Sequence, residues 1–115
     1  MRKVIIRTEG LRSGLERFRT VWKTGKFQGE SITFESEEVM LKTLTSKRWQ
    51  VVNVLLAHGP ISVRAMARRL GRDVKNVDTD VTALKAIGLV EDHEAGIWVP
   101  FDEIDFILSA SRKAG

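Results

Sequence analysis

The fold is decided by residues 61–90, which read ISVRAMARRLGRDVKNVDTDVTALKAIGLV. Apolar side chains recur at helical spacing on both sides of the turn Leu70-Gly71-Arg72, and this pattern predicts two short amphipathic helices, the second running into a strand. Two helices that meet at a steep angle across a glycine-containing turn are an arrangement that presents a helix to the major groove of DNA. The rest of the sequence has to be consistent with that arrangement.

The segments around this stretch complete a recognisable order of elements. Thr45, Ser62 and Asp73 are each suited to cap the N-terminus of a helix. Alternating residues at 89–92 and 97–99, separated by a turn, predict a two-stranded hairpin after the third helix. Three helices followed by a hairpin form a winged helix-turn-helix. The sequence therefore predicts an α+β fold, with a winged helix-turn-helix at residues 36–115 and a strand-helix-strand extension at residues 1–35.

The N-terminal extension is too small to bury its own apolar face, so it has to pack on the core or on a second subunit. A homodimer is the preferred assembly, because two copies of a small DNA-binding domain can read a palindrome. In that arrangement strand 4–6 pairs across the two-fold axis; the alternative is that the extension covers the core of its own chain. The residues predicted to form the dimer interface are Val4, Ile6, Leu11, Leu15, Phe18 and Trp22.

The charge is distributed unevenly along the chain. The 115 residues carry a net charge of +4. Residues 1–72 hold 15 Lys and Arg against 6 Asp and Glu, a net +9, whereas residues 73–115 hold 4 against 9, a net −5. A basic first part with an acidic remainder favours a polyanionic partner on one surface and a different partner on another.

Composition argues against several classes of protein. No apolar run reaches the roughly 18 residues of a membrane span, and the apolar N-terminal segment is too short for a signal peptide. The absence of cysteine favours a cytoplasmic protein without disulfides. An enzyme is not expected, since the chain lacks cysteine, tyrosine and a glycine-rich phosphate loop, and His58 and His93 lie far apart in sequence. The acidic residues near His93 lack metal-ligand spacing, so neither a metal nor a cofactor is expected.

The third helix carries the residues expected to read DNA bases. At 100° per residue, Val77, Val81 and Leu84 share one side of this helix with Val74. Asn pairs with adenine, Lys reaches guanine acceptors, and the Thr methyl meets the thymine methyl, while Asp78 and Asp80 are expected at the flanks. The predicted base-reading residues are Lys75, Asn76, Thr79 and Thr82.

Basic residues around the turn are expected to bind the DNA backbone, which contributes affinity and salt dependence but little sequence information. The predicted phosphate contacts are Lys47, Arg48, Arg64, Arg68 and Arg72. The hairpin tip, Glu91-Asp92-His93-Glu94, is acidic and should be repelled by DNA, so we expect it to lie away from DNA or to face a partner.

The motif at residues 62–90, together with Leu44-Thr45-x-x-Arg48 and residues 99–104, resembles a family of small prokaryotic MarR-like winged-helix proteins. Members are described as DNA-binding transcriptional regulators, some of them antitoxin-like. The resemblance spans roughly residues 30–108 and implies a dimeric regulator whose reading helix contains Lys75 and Asn76.

Two functional hypotheses follow. The first is a dimeric repressor that binds double-stranded DNA sequence-specifically, including an antitoxin that regulates its own operon. The second is a protein-interaction module that docks a basic partner, such as a toxin, through its acidic C-terminal half.

Overall fold

The computed structural model of the chain describes residues 1–8 and 30–108, and these divide into two compact units. The first comprises residues 1–8, 30–41 and 103–108, and the second is Lys42–Asp102. Within the described ranges the chain is α+β, as the sequence predicted. Its elements are β1 (Lys3–Thr8), β2 (Glu30–Phe34), α1 (Glu37–Thr43), α2 (Ser46–His58), α3 (Val63–Leu70), α4 (Val74–Ala86), β3 (Glu91–His93), β4 (Gly96–Trp98) and β5 (Glu103–Ile107).

The first unit is built on a three-stranded parallel sheet in the order β2-β1-β5. Val4 of β1 lies opposite Glu30 of β2 on one edge and opposite Ile104 of β5 on the other. Two ion pairs cross the same strand boundaries, from Arg2 to Glu30 at 2.8 Å and from Lys3 to Asp105 at 3.0 Å. The strand rich in β-branched residues thus occupies the centre of the sheet, as expected for a strand buried on both faces.

This position of β1 corrects one prediction. Val4 and Ile6 were expected at a dimer interface, with strand 4–6 pairing across a two-fold axis. Both edges of β1 are hydrogen-bonded within the chain, and both side chains are fully buried, with an exposed fraction of 0%. A strand with two partners has no free edge to offer to a second copy. The other residues predicted at that interface, Leu11, Leu15, Phe18 and Trp22, lie outside the described residues.

The division into units also differs from the predicted boundary between residues 35 and 36. Strand β5 joins the first unit because it pairs along its length with β1. The start of α1 joins it as well, and there the Thr8 hydroxyl donates a hydrogen bond of 2.9 Å to the Glu37 carboxylate. Residues from both ends of the described chain therefore form the first unit.

The second unit contains α2, α3 and α4, each of which begins at a side-chain cap. Thr45 Oγ1 accepts a hydrogen bond from the Arg48 N–H at 3.3 Å, and Ser62 Oγ accepts one from the Ala65 N–H at 3.1 Å. The caps suggested by the sequence are thus present at the predicted residues. Each satisfies a backbone donor that has no partner inside its helix.

A short hairpin, β3–β4, completes the second unit and is tied back to the helices. Ile61, which lies between α2 and α3, exchanges two backbone hydrogen bonds with Ile97 of β4, at 2.9 and 3.2 Å. The contact is so close that a Cβ on Gly96 would collide with the backbone oxygen of Ile61. Only glycine fits this position, where φ is also +135°.

Among the described residues, no helix is both long enough and apolar enough to traverse a lipid bilayer.

Candidate functional site

The exposed face of α4 is the candidate site. The four residues predicted to read bases are all exposed, whereas the residues on the opposite side of the helix are buried. Thr79 Oγ1 donates a hydrogen bond of 3.0 Å to the backbone oxygen of Lys75, one turn earlier. The structure therefore brings the following residues to one solvent-facing side of a single helix: Lys75, Asn76, Thr79 and Thr82.

The turn before α4 is fixed by its own backbone hydrogen bonds. Gly71 adopts the left-handed conformation (φ 64°, ψ 37°), and its N–H donates to the Arg68 oxygen at 3.3 Å. The N–H of Arg72 donates to the Ala67 oxygen at 3.0 Å, which completes a Schellman motif. Asp73 then caps α4 by accepting a 2.8 Å hydrogen bond from the Lys75 N–H. These hydrogen bonds fix the direction in which α4 continues from the end of α3.

A buried carboxylate anchors α4 from its inner side. Asp80, 9% exposed, accepts a hydrogen bond of 2.7 Å from Arg72 Nη2 and one of 3.0 Å from Arg48 Nε. Arg48 Nη1 also donates to the backbone oxygen of Thr43 at 3.0 Å. We call Asp80, Arg48 and Arg72 the Asp80 triad. Since Arg48 belongs to α2 and Arg72 to the turn, the triad joins three segments of the second unit.

The pKa of Asp80 reflects two opposing influences. Burial raises it, because the charged form loses hydration, while the hydrogen bonds and positive charges of Arg72 and Arg48 lower it. The arginines prevail, and the pKa lies below its ordinary value of 3.8. Asp80 is therefore a carboxylate at neutral pH, and its charge is matched inside the protein.

Two of the predicted phosphate contacts belong to the triad. Arg48 and Arg72 were expected to bind the DNA backbone, but their side chains are only 21% and 16% exposed and are directed to Asp80. Arg72 Nη1 is in addition buried without a hydrogen-bond partner. Asp80 itself was expected at a flank of the base-reading side, but it is buried. The sequence signal for its burial was its spacing, since it lies three residues after Val77 and four before Leu84, which are both buried.

The other predicted phosphate contacts are exposed. Lys47 lies in the first turn of α2, and Arg64 and Arg68 lie one turn apart on α3. Arg69, which is not among the predicted phosphate contacts, is exposed on α3 as well. Four cationic side chains are thus accessible on the two helices that precede α4.

Val74 departs from its expected place on the inner side of α4. It shares the apolar spacing of Val77 and Val81, yet 44% of it is exposed, against 0% and 1% for those two. It is the first residue of the helix, directly after the cap. Its position at a helix end, which a periodicity argument does not take into account, explains the difference.

The hairpin beside α4 presents acidic side chains. Glu91, Asp92 and Glu94 are exposed, and Asp92 forms an ion pair of 2.6 Å with Lys85 near the C-terminus of α4. The His93 ring lies edge-on to Trp98 at 5.1 Å, and its Nδ1 accepts a hydrogen bond from the Ala95 N–H at 3.0 Å. In the described part of the chain, no cluster of three or more His, Asp or Glu side chains is arranged to hold a metal ion.

Comparison with known proteins places the second unit in a family. The sequence profile of the HVO_A0114 family matches residues 43–106, more than half of the chain. The chain belongs to the HVO_A0114 family. The matched residues include α2, α3, α4, the hairpin and most of β5. No curated protein and no solved structure matches the chain. The family name specifies neither an activity nor a ligand, so a function has to be inferred from the site.

Proposed function

We propose that this HVO_A0114 family member is a transcriptional regulator that binds double-stranded DNA sequence-specifically, as a homodimeric repressor. The observation that carries the proposal is the exposed face of α4, with Lys75, Asn76, Thr79 and Thr82, on a helix held from its inner side by the Asp80 triad. A reading helix has to present donors and small apolar groups to base edges while its orientation is fixed by the rest of the domain.

The order of elements in Lys42–Asp102 supports a winged helix-turn-helix. Helix α2 is followed by the extended residue Ile61, then by α3, the turn, α4 and the hairpin. The bridge between Ile61 and Ile97 gives the hairpin a third backbone segment, and this supports the assignment of the hairpin as the wing. In this assignment α3 and α4 form the helix-turn-helix, and α4 enters the major groove.

The exposed cations supply the phosphate contacts in this proposal. Lys47, Arg64 and Arg68 keep the role that the sequence suggested, and Arg69 joins them. Arg48 and Arg72 act indirectly, because their charges are matched by Asp80 and they hold the turn and α4 in place. Each neutralised phosphate should make the logarithm of the binding constant fall by about 0.9 per decade of salt concentration.

The test begins with a selection of bound duplexes from a random-sequence pool, followed by fluorescence anisotropy with the selected duplex and a scrambled one. Lys75→Ala and Asn76→Ala should each weaken binding to the selected duplex about 10- to 100-fold while changing binding to the scrambled duplex little, because base contacts carry the discrimination. Arg64→Ala is the matched control. It should weaken binding to both duplexes equally and reduce the salt slope by about 1. Equal affinity of the unaltered protein for both duplexes would refute sequence-specific binding.

The homodimer is tested by sedimentation of the chain alone and with a palindromic form of the selected duplex. Two chains per duplex are expected, since a two-fold symmetric site is read by two copies. One chain per duplex would show that the regulator binds as a monomer.

A second candidate function rests on the acidic hairpin. Glu91, Asp92 and Glu94 are exposed, and such a surface suits a basic protein partner, a toxin among them. Glu91→Lys with Glu94→Lys distinguishes the two uses of the hairpin. If the hairpin lies near phosphates, this variant should bind DNA more tightly. If it faces a protein, its DNA affinity should stay unchanged while the affinity for a basic partner falls.

A further inference from the structure

We propose that Val74 is a specificity-determining residue of α4 and that its side chain receives the 5-methyl group of a thymine in the bound DNA. This inference rests on the proposed function, since it names one base contact of the same helix. It adds an apolar side chain to the predicted base-reading residues Lys75, Asn76, Thr79 and Thr82.

The exposure of Val74 sets it apart from the other valines of α4. Val77 and Val81 follow it at helical spacing and are 0% and 1% exposed, so they form the inner side of the helix. Val74 lies one turn before Val77 and is 44% exposed, because the helix starts there and no preceding turn covers it. The exposed part of the Val74 side chain is therefore available for an external contact.

The position of Val74 in α4 relates its exposure to DNA binding. The N-terminal residues of a reading helix are those that contact base edges. Val74 is the first residue of α4, and the next two, Lys75 and Asn76, are exposed polar residues of the candidate site. The carboxylate of Asp73 caps the helix, which fixes the backbone that carries Val74. An apolar group at this point lies within the same turn as the proposed polar base contacts.

The chemistry of the major groove indicates what Val74 would contact. The 5-methyl group of thymine is the apolar feature of the base edges in that groove, whereas the other edge groups are hydrogen-bond donors or acceptors. Valine makes no hydrogen bond through its side chain and does not attract phosphate. Its side chain also loses little freedom on binding, because branching at Cβ already restricts χ1. A methyl group is therefore the base feature that this side chain can recognise.

Deoxyuridine tests the contact directly, because it differs from thymidine only by the absence of the 5-methyl group. Each thymine of the selected duplex is replaced by deoxyuridine in turn, and affinity is measured for the unaltered protein and for Val74→Ala. At one position per half-site we expect the unaltered protein to lose about 4-fold in affinity, the value for one methyl group no longer buried. Val74→Ala should bind the thymine duplex more weakly than the unaltered protein does. Replacing that thymine by deoxyuridine should not weaken its binding further, because the effects of two groups in contact are not additive.

Val39→Ala provides a matched control. Val39 is a valine of similar exposure, 39%, and it belongs to α1 outside the proposed DNA-binding unit. Its alanine variant should show the same loss on deoxyuridine substitution as the unaltered protein. Val74→Thr tests whether a loss of affinity in Val74→Ala arises from altered folding, because threonine keeps one methyl group and nearly the same shape. It should lose less affinity than Val74→Ala while retaining a measurable response to deoxyuridine.

The results separate this inference from the proposed function. If the unaltered protein prefers the selected duplex and Lys75→Ala weakens that preference, sequence-specific binding stands. If in that case Val74→Ala binds as tightly as the unaltered protein, or responds to deoxyuridine in the same way, Val74 is an ordinary surface valine and the inference is overturned. If the unaltered protein shows no preference between duplexes, both proposals fail.

Discussion

Replacing Asp80 by Asn should destabilise the second unit, because it removes the negative charge that pairs with Arg48 and Arg72. The carboxylate accepts one hydrogen bond from each of two guanidinium groups, at 2.7 and 3.0 Å. Hydrogen bonds to charged groups contribute about 1.5–3 kcal/mol each, so the two together set an upper figure of about 3–6 kcal/mol. Asn keeps one acceptor oxygen but removes the negative charge between Arg48 and Arg72.

Solvent offsets part of that loss. The three side chains of the Asp80 triad are 12–21% exposed, so the arginines regain some hydration when Asp80 is neutralised. We therefore expect the free energy of unfolding to fall by about 2–4 kcal/mol, towards the lower end of the values for a broken buried ion pair. At roughly 4 °C per kcal/mol for a chain of this size, the melting temperature should fall by about 8–16 °C.

The measurement is urea denaturation followed by the helical circular dichroism signal, to which α2, α3 and α4 contribute. Asp78→Asn is the matched control, because it makes the same chemical change two residues away on the exposed surface of α4. It should alter the free energy of unfolding by less than about 0.5 kcal/mol. The reasoning is refuted if Asp80→Asn lies within that range, or if the two substitutions destabilise the protein equally.

Three further predictions concern the same unit. The pKa of Asp80 is below 3.8 in the folded state. The stabilisation by its carboxylate is therefore complete above pH 3.8 and is lost as the pH falls through the pKa of the folded state. The difference in free energy of unfolding between the unaltered protein and Asp80→Asn should accordingly shrink in acid titrations below pH 3.8. Gly96→Ala should lower the free energy of unfolding by about 2–3 kcal/mol, because the new Cβ collides with the Ile61 oxygen. Glu94→Ala, in the turn before Gly96, should change it by less than about 0.5 kcal/mol in a urea titration. Ser62→Ala removes the cap of α3 and should cost about 1 kcal/mol in the same experiment, so an unchanged midpoint would contradict the role of the cap.

Local features of the second unit could be predicted from the sequence. Ser62 and Asp73 cap the helices that they precede, and Gly71 ends α3 in the left-handed conformation. These features depend on a few neighbouring residues, so composition and spacing are sufficient to find them. The exposed positions of Lys75 and Thr79 follow in the same way from the 100° rotation per residue of a helix.

Contacts between distant residues could not be predicted in this way. Arg48 and Asp80 are separated by 32 positions, and nothing in the spacing of either residue names the other as its partner. Arginines near a predicted helix-turn-helix are equally consistent with phosphate contacts and with internal ion pairs. In the structure Arg48 and Arg72 both form internal ion pairs with Asp80. The pairing of β1 with β5 was missed for the same reason, since it joins strands about one hundred residues apart.

That pairing has a consequence for how the chain folds during synthesis. When the ribosome has produced Lys42–Asp102, every helix of the second unit and its hairpin are already present, and they can fold from contacts between near neighbours in sequence. Strand β1 precedes the second unit in the chain, but the partner of one of its edges, Glu103–Ile107, is made only after that unit. Ordering that edge requires closure of a long loop, which is a slow step. The pairing of β1 is thus completed only after the second unit has been made, and until then its open edge can pair with strands of other chains.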